Sequence, residues 1–195
     1  MADADMKTDP ELMRELKEGS RLAFDKLFLR HQVGVYSFFA RLSGDQELAE
    51  DLTQEVFLRL YLHAGNYTPT AKFTTYLYRI VRNCWIDQLR RQKTRGRSES
   101  LDRPLSEDSV LSDHLASPVE SPLASLERAD RAKAVNEAVA SLPDEQKTVF
   151  VLAEVQGLKY QEIAEILEIP LGTVKSRMYV AVNRLQEFLL RRGVV

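Results

Sequence analysis

The chain has 195 residues, 44% of them hydrophobic and 29% charged, with a formal net charge of −2. Such usage excludes a wholly disordered chain, a collagen-like chain or a disulfide scaffold, and the length allows one ordinary domain or two small ones. No apolar run approaches the ~18–20 residues that span a bilayer, and the opening MADADMKTDPEL is acidic rather than basic and then apolar, so neither membrane insertion nor secretion is expected. The single cysteine, Cys84, and the scattered His31, His63 and His114 give no disulfide and no ligand spacing. No metal and no cofactor are expected, and the cysteine usage fits a cytoplasmic location.

The near-neutral total hides an uneven distribution. From Lys72 to Arg97 the chain carries Lys72, Arg79, Arg82, Arg90, Arg91, Lys93, Arg95 and Arg97 against the single acid Asp87. A stripe of this density is a candidate surface for a polyanion such as nucleic acid, its bland alternative being a solvated helix face. The next stretch, residues 96–126, holds Pro104, Pro118, Pro122, many serines and more acids than bases, with no sustained apolar period. It reads as a flexible acidic linker. Three- and four-residue apolar spacings on both sides predict an all-α protein of two small helical domains, residues 1–95 and 127–195.

In chain order, Asp9-Pro10-Glu11 opens a short helix, with Asp9 as cap and Pro10 at the first helical position, and Gly19 ends it. A second helix from Ser20 to Leu42 stops at Gly44. Asp45 caps the third, whose Leu48, Leu52, Val56, Phe57 and Leu60 form an apolar stripe behind an acidic, amide-rich face. After GNYTP a fourth helix runs from about Lys72 to Arg91. At ~100° per residue it places Phe73, Leu77, Ile80 and Cys84 on one side and Arg79, Asn83, Asp87 and Arg90 on another.

In the second domain one helix runs to about Leu142, and Pro143-Asp144-Glu145 opens another that Gly157 ends. A short amphipathic helix with Ile163, Ala164, Ile166 and Leu167 then meets a break at Glu168-Ile169-Pro170. A longer helix follows, with Val174, Met178, Ala181, Leu185 and Phe188 inward. This is the layout of a helix-turn-helix. Thr173, Lys175, Ser176, Arg177 and Tyr179 fall outward near the start of its second helix, where base edges and phosphates are met.

The stretches AEDLTQEVFLRLY (Ala49 to Tyr61), FTTYLYRIVRNCWIDQLRR (Phe73 to Arg91) and LPDEQKTVFVLAEVQGLKYQEIAEILEIPLGTVKSR (Leu142 to Arg177) together resemble a bacterial RNA polymerase sigma factor of the small two-domain, extracytoplasmic-function group. The resemblance covers nearly the whole chain outside the linker. It implies a promoter-specificity subunit without catalysis of its own, whose partners are core RNA polymerase, promoter DNA and an anti-sigma protein. Asp51, Gln54, Glu55 and Phe57 are then the polymerase-binding residues. Reading the minus-ten element as an opened strand requires aromatic platforms, amides and phosphate-binding cations together. The expected set is Tyr67, Lys72, Arg79, Arg82, Asn83, Arg90, Arg91 and Lys93. The helix-turn-helix residues Thr173, Lys175, Ser176, Arg177 and Tyr179 would read the minus-thirty-five element as duplex.

The chain departs from the pattern in places. Tyr76 stands where the family usually has tryptophan, and both Tyr76 and Trp85 are expected in the core. Glu168 replaces a glycine that many members carry in the turn, which costs stability if the backbone there is left-handed. The acidic linker is expected to weaken DNA binding by the free protein. A stand-alone helix-turn-helix regulator is the alternative function, against which stands the basic, aromatic Phe73 to Arg91 stretch. No nucleophile elbow, phosphate loop or acid–base carboxylate pair points to an enzyme.

Overall fold

The computed structural model describes residues 7–68, 72–95, 131 and 133–193, and every regular element among them is helical. The linker expected at 96–126, together with its effect on DNA binding, lies outside the described residues. The first domain contains α1 (Asp9–Lys17), α2 (Arg21–Ser43), α3 (Gln46–Leu62), a single 3₁₀ turn at Ala64–Asn66 and α4 (Phe73–Arg95). The second contains α5 (133–140), α6 (Asp144–Phe150) running into a π-helical turn at Val151–Val155, α7 (Tyr160–Leu167) and α8 (Leu171–Arg191).

Helix ends follow local chemistry. The cap of α1 is Thr8 rather than Asp9: its backbone N–H and its hydroxyl both donate to Glu11 Oε2 at 2.7 Å, a capping box. Asp9, thus released, ties α1 to α2 by accepting from Arg30 and from His31, the latter at 2.9 Å. Burial alone would raise the Asp9 pKa, but these two hydrogen bonds and the positive charges behind them outweigh it and hold the carboxyl below its ordinary value. Ser20 caps α2 by accepting from Ala23 N–H at 3.3 Å. Gly44 then turns the chain at φ 68°, and Asp45 caps α3 by accepting from Leu48 N–H at 3.1 Å. A Cβ is strained in that left-handed conformation, so glycine is the residue that lets α2 hand over to α3 within two positions.

The first core is built from Leu12, Met13 and Leu16 of α1, Leu27, Val35, Phe38 and Phe39 of α2, Leu52, Val56, Phe57 and Leu60 of α3, and Phe73, Leu77, Val81, Cys84 and Trp85 of α4. Burial pushes the Cys84 thiol to about 11, so it packs as a small apolar side chain. In the second domain Val149, Leu152, Ile163, Ile166, Val174, Met178, Ala181 and Leu185 meet where α6 and α7 cross α8. The buried residues of the two domains form one continuous cluster, because α7 packs along α4 and the π turn packs on α2.

Candidate nucleic-acid interface

The α4 helix presents three working faces. Phe73, Leu77, Val81, Cys84 and Trp85 enter the core. A second face, at positions 76, 80, 83 and 87, opens into a cleft of about 410 Å³ lined by Tyr76, Ile80, Asn83 and Asp87 together with Arg59 and His63 from the end of α3. Asn83 is exposed at its rim. Ile80, expected in the core, is only half-buried and forms a wall of this cleft, and so does Tyr76.

Tyr67 sits behind the cleft. It is 5% exposed, its ring lies 5.0 Å from that of Tyr76 and 6.5 Å from that of Phe73, and its hydroxyl has no hydrogen-bond partner among the described residues. Burial raises its pKa, with the charge of Asp9 adding to the effect. A ring so buried packs between Tyr76 and Phe73 and is not among the residues that line the cleft. Tyr76, half-buried, is the tyrosine that lines the cleft, in register with Asn83 two turns along the helix.

The third face carries the cations Lys72, Arg79 and Arg82, and all three meet the second domain. Lys72 Nζ lies 2.7 Å from Glu162, Arg82 lies 3.1 Å from Glu168, and Arg79 Nε donates to the Glu165 carbonyl at 3.4 Å. Arg90, Arg91 and Lys93 are exposed toward the far end of α4. Asp87, the one acid of the stripe, pairs at 3.0 Å with Arg59 of α3 and stands 3.9 Å from Arg90. Its main partner is therefore on another helix rather than within its own. Arg59 in turn holds Glu55 at 2.8 Å. Burial works against the Arg59 charge, and the hydrogen bonds to Glu55 and Asp87 outweigh it, so its pKa is raised.

On α3, Asp51 and Gln54 are exposed and Glu55 is half-buried against Arg59. Phe57 turns the other way. It is 2% exposed, with its ring edge-on to Phe28 at 4.8 Å, and it belongs to the core instead of the surface. The apolar side chain in register with Asp51 and Gln54 is Leu58, 52% exposed. The spacing i, i+3, i+7 carries that signal in the sequence.

In the helix-turn-helix, Glu168 adopts φ 56°, ψ 43°, the left-handed conformation in which glycine carries no penalty, and Ile169-Pro170 leads into α8. A residue with a Cβ costs roughly 1–2 kcal/mol there. Along α8, Lys175, Ser176 and Tyr179 are exposed, Tyr179 at 70%, while Val174 and Met178 are buried. Thr173 is half-buried, and its carbonyl accepts from the Ser176 hydroxyl at 3.0 Å. Arg177 is drawn back to Glu145 of α6 at 2.6 Å and braces the helix against its scaffold.

The described residues form a helical protein with an open cleft on α4 and a helix-turn-helix at α7 and α8. Residues 27–95 match the family description Sigma-70 region 2, and residues 132–185 match Sigma-70, region 4. The RNA polymerase sigma-H factor of Pseudomonas aeruginosa is 31% identical over 190 residues, covering 95% of this chain and 97% of that protein. The ECF RNA polymerase sigma factor SigW of Bacillus subtilis is 32% identical over 169 residues, 86% and 89% of the two chains. The fold is similar to that of CnrH in complex with the cytosolic domain of CnrY, at TM-score 0.66 and 20% identity over 93% and 96% of the chains. It is similar also to RpoE in complex with the anti-sigma factor NepR from Bartonella quintana, at TM-score 0.60 and 26% identity over 85% and 96%.

The chain belongs to the RNA polymerase sigma factors, in the extracytoplasmic-function group. It directs promoter-specific transcription.

Proposed function

We propose that α4 opens the minus-ten element and holds one extruded base in the cleft beside Asn83. The observation that carries this reading is the juxtaposition of an exposed amide, Asn83, with the Tyr76 ring and Ile80 in one open cleft. Taking a base out of the stack costs a few kcal/mol, which stacking and edge hydrogen bonds must repay. Tyr76 offers the platform, Tyr67 backs it, and the Asn83 amide both donates to and accepts from a base edge. Lys72, Arg79, Arg82, Arg90, Arg91 and Lys93 track the phosphates. Arg59 and Asp87 act as positioning residues that hold the cleft wall.

Asp51, Gln54 and Glu55, with Leu58 as the apolar edge, form the docking face for core polymerase. Lys175, Ser176 and Tyr179 read the minus-thirty-five duplex from α8, with Thr173 at the helix start and Arg177 as brace. The working units are residues 1–95 and 127–195. The protein supplies recognition and strand opening, and catalysis stays with the polymerase in the cytoplasm. An anti-sigma protein is a further proposed partner, supported by the solved relative captured with one.

Substituting Asn83→Ala in holoenzyme tests the cleft. Permanganate reactivity of the opened promoter strand should fall at least about tenfold, the loss of one good base contact, while co-elution with core polymerase stays unchanged. Equal losses in both assays would make Asn83 a structural residue and remove the base-holding role.

A further inference from the structure

We infer that α1 braces the tyrosine wall of the cleft, with Asp9 and His31 as positioning residues that set Tyr67 and, through it, Tyr76. This rests on the reading of the cleft as the base-holding site. Helix α1 lies ahead of residue 27, where the region 2 match begins, and neither Asp9 nor His31 lines the cleft.

The need for a brace follows from how the cleft is built. Tyr76, Ile80, Asn83 and Asp87 share the hydrogen-bond ladder of α4, and Arg59 stands in the last turn of α3. Tyr67 has no such frame. It follows the 3₁₀ turn in extended backbone, φ −66° and ψ 125°, and its N–H donates to the Ala64 carbonyl at 3.1 Å. Its buried hydroxyl has no partner among the described residues to fix the ring by a directional bond. The place of that ring is therefore set by the side chains packed around it.

Those neighbours lead back to α1 by two routes. Along the first, the Asp9 carboxylate meets His31 Nε2 at 2.9 Å, the His31 ring lies 5.1 Å from that of Phe73, and the Phe73 ring lies 6.5 Å from that of Tyr67. An ionised carboxylate only accepts, so the His31 nitrogen is the donor. Phe73 is 3% exposed and stands one turn before Tyr76 on α4, so the Tyr67 ring meets two successive aromatic positions of that helix.

The second route is electrostatic and direct. Burial raises the pKa of Tyr67 and the charge of Asp9 adds to it, while at Tyr76 burial acts first and Tyr67 adds to that. The three side chains thus lie within one another's fields in the order Asp9, Tyr67, Tyr76. Helix α1 also packs on the 3₁₀ turn itself. Arg30 closes the arrangement on the solvent side, donating to Asp9 and, at 3.1 Å, to the Lys7 carbonyl. Loosening α1 would shift the tyrosines while the α3 and α4 ladders keep Asn83 and the docking face in place.

The test labels the seven tyrosines of the full chain with 3-fluorotyrosine and reads them by fluorine NMR, with Tyr67→Phe and Tyr76→Phe assigning the two resonances. Permanganate reactivity of the minus-ten strand in holoenzyme gives the opening rate, and co-elution with core polymerase gives docking. His31→Leu removes the donor and keeps an apolar side chain against Phe73. Asp9→Ala removes the acceptor and leaves the His31 ring, so it carries the same test if His31→Leu fails to fold. His31→Gln returns a donor at the reach of Nε2, and Glu15→Ala, which breaks the exposed pair with Lys7 on α1, is the control. All assays run below the lowest unfolding midpoint of the set.

The brace predicts shifted Tyr67 and Tyr76 resonances in His31→Leu and Asp9→Ala. Opening should slow by about three- to tenfold, up to the worth of one base contact, with co-elution unchanged. His31→Gln should recover most of the rate, and Glu15→Ala should match the parent. In a Tyr76→Ala background the same two substitutions should cost less than about twofold, whereas independent residues keep their full loss there. Unchanged resonances in both variants overturn the brace, and so does a full loss of rate in the Tyr76→Ala background. Shifted resonances with unchanged opening overturn the positioning role: if Tyr76→Ala and Asn83→Ala still slow opening, the base-holding reading of the cleft stands without the brace, and if neither does, that reading falls as well.

Discussion

Arg59 of α3 and Asp87 of α4 meet at 3.0 Å across the junction of the two helices. Because Arg59 also holds Glu55, the exposed face of α3 and the cleft of α4 share one side chain. The pair is partly exposed, so its worth is that of a well-oriented surface network, about 1 kcal/mol or less. A double-mutant cycle with Arg59→Ala and Asp87→Ala, followed by thermal unfolding, should show coupling of that size. It should also show that either single substitution lowers promoter opening more than polymerase binding. Additive effects on both stability and opening would mean that the two residues act independently.

Phe57 and Leu58 are neighbours in sequence with opposite fates. Phe57→Ala removes a ring from the core and should cost about 3–5 kcal/mol of stability. Leu58→Glu should leave the melting curve nearly unchanged while weakening co-elution with core polymerase. A Leu58 variant that binds core as tightly as the parent would remove this residue from the docking face.

Lys175 projects from α8 free of the core, whereas Arg177 is held by Glu145. In holoenzyme bound to duplex carrying only the upstream element, Lys175→Ala should flatten the log–log salt dependence by about 0.9, one phosphate contact. Glu145→Gln should leave that slope unchanged and lower thermal stability slightly. The opposite assignment of the two effects would exchange the roles of Lys175 and Arg177.

Asp9 ties α1 to α2 through His31 and Arg30, and its folded pKa lies below the ordinary 3.8. A carboxyl with a lowered folded pKa contributes stability that is fully present above its unfolded value and lost as pH falls through the folded one. Asp9→Asn should therefore be less stable than the parent at pH near neutral, with the gap closing below about pH 3.8. Urea unfolding of both proteins across that range measures it, and a gap independent of pH would assign the loss to packing.

Helices were legible because their signals are local. Gly44 and Asp45 mark a stop and a start within two residues, and the Glu168-Ile169-Pro170 break falls where the turn does. The cap of α1 was misread by one position, since Thr8 and Asp9 are both good caps and only the packing of α2 draws Asp9 away to Arg30 and His31. Helical spacing puts Phe57 on the apolar stripe of α3 while the family resemblance puts it with the polymerase-binding residues, and its contacts with Phe24 and Phe28 agree with the spacing. Tyr76 and Ile80 share a face with Asn83 and were assigned to the core because apolar and aromatic side chains usually pack. Whether a half-apolar face is covered depends on the neighbouring helix, and α3 ends at Leu62, leaving this one open. The contacts of Lys72, Arg79 and Arg82 with α7 join residues some ninety positions apart, beyond any local pattern.

The most direct measurement of the central claim is transcription by purified bacterial core polymerase with and without this protein, on a pool of genomic fragments, with transcript starts sequenced. Initiation that depends on the protein, at starts preceded by two shared motifs, is the predicted result, and Asn83→Ala should abolish those starts without releasing the protein from core. Absence of dependent initiation, together with tight polymerase-independent binding to a palindromic duplex, would contradict it.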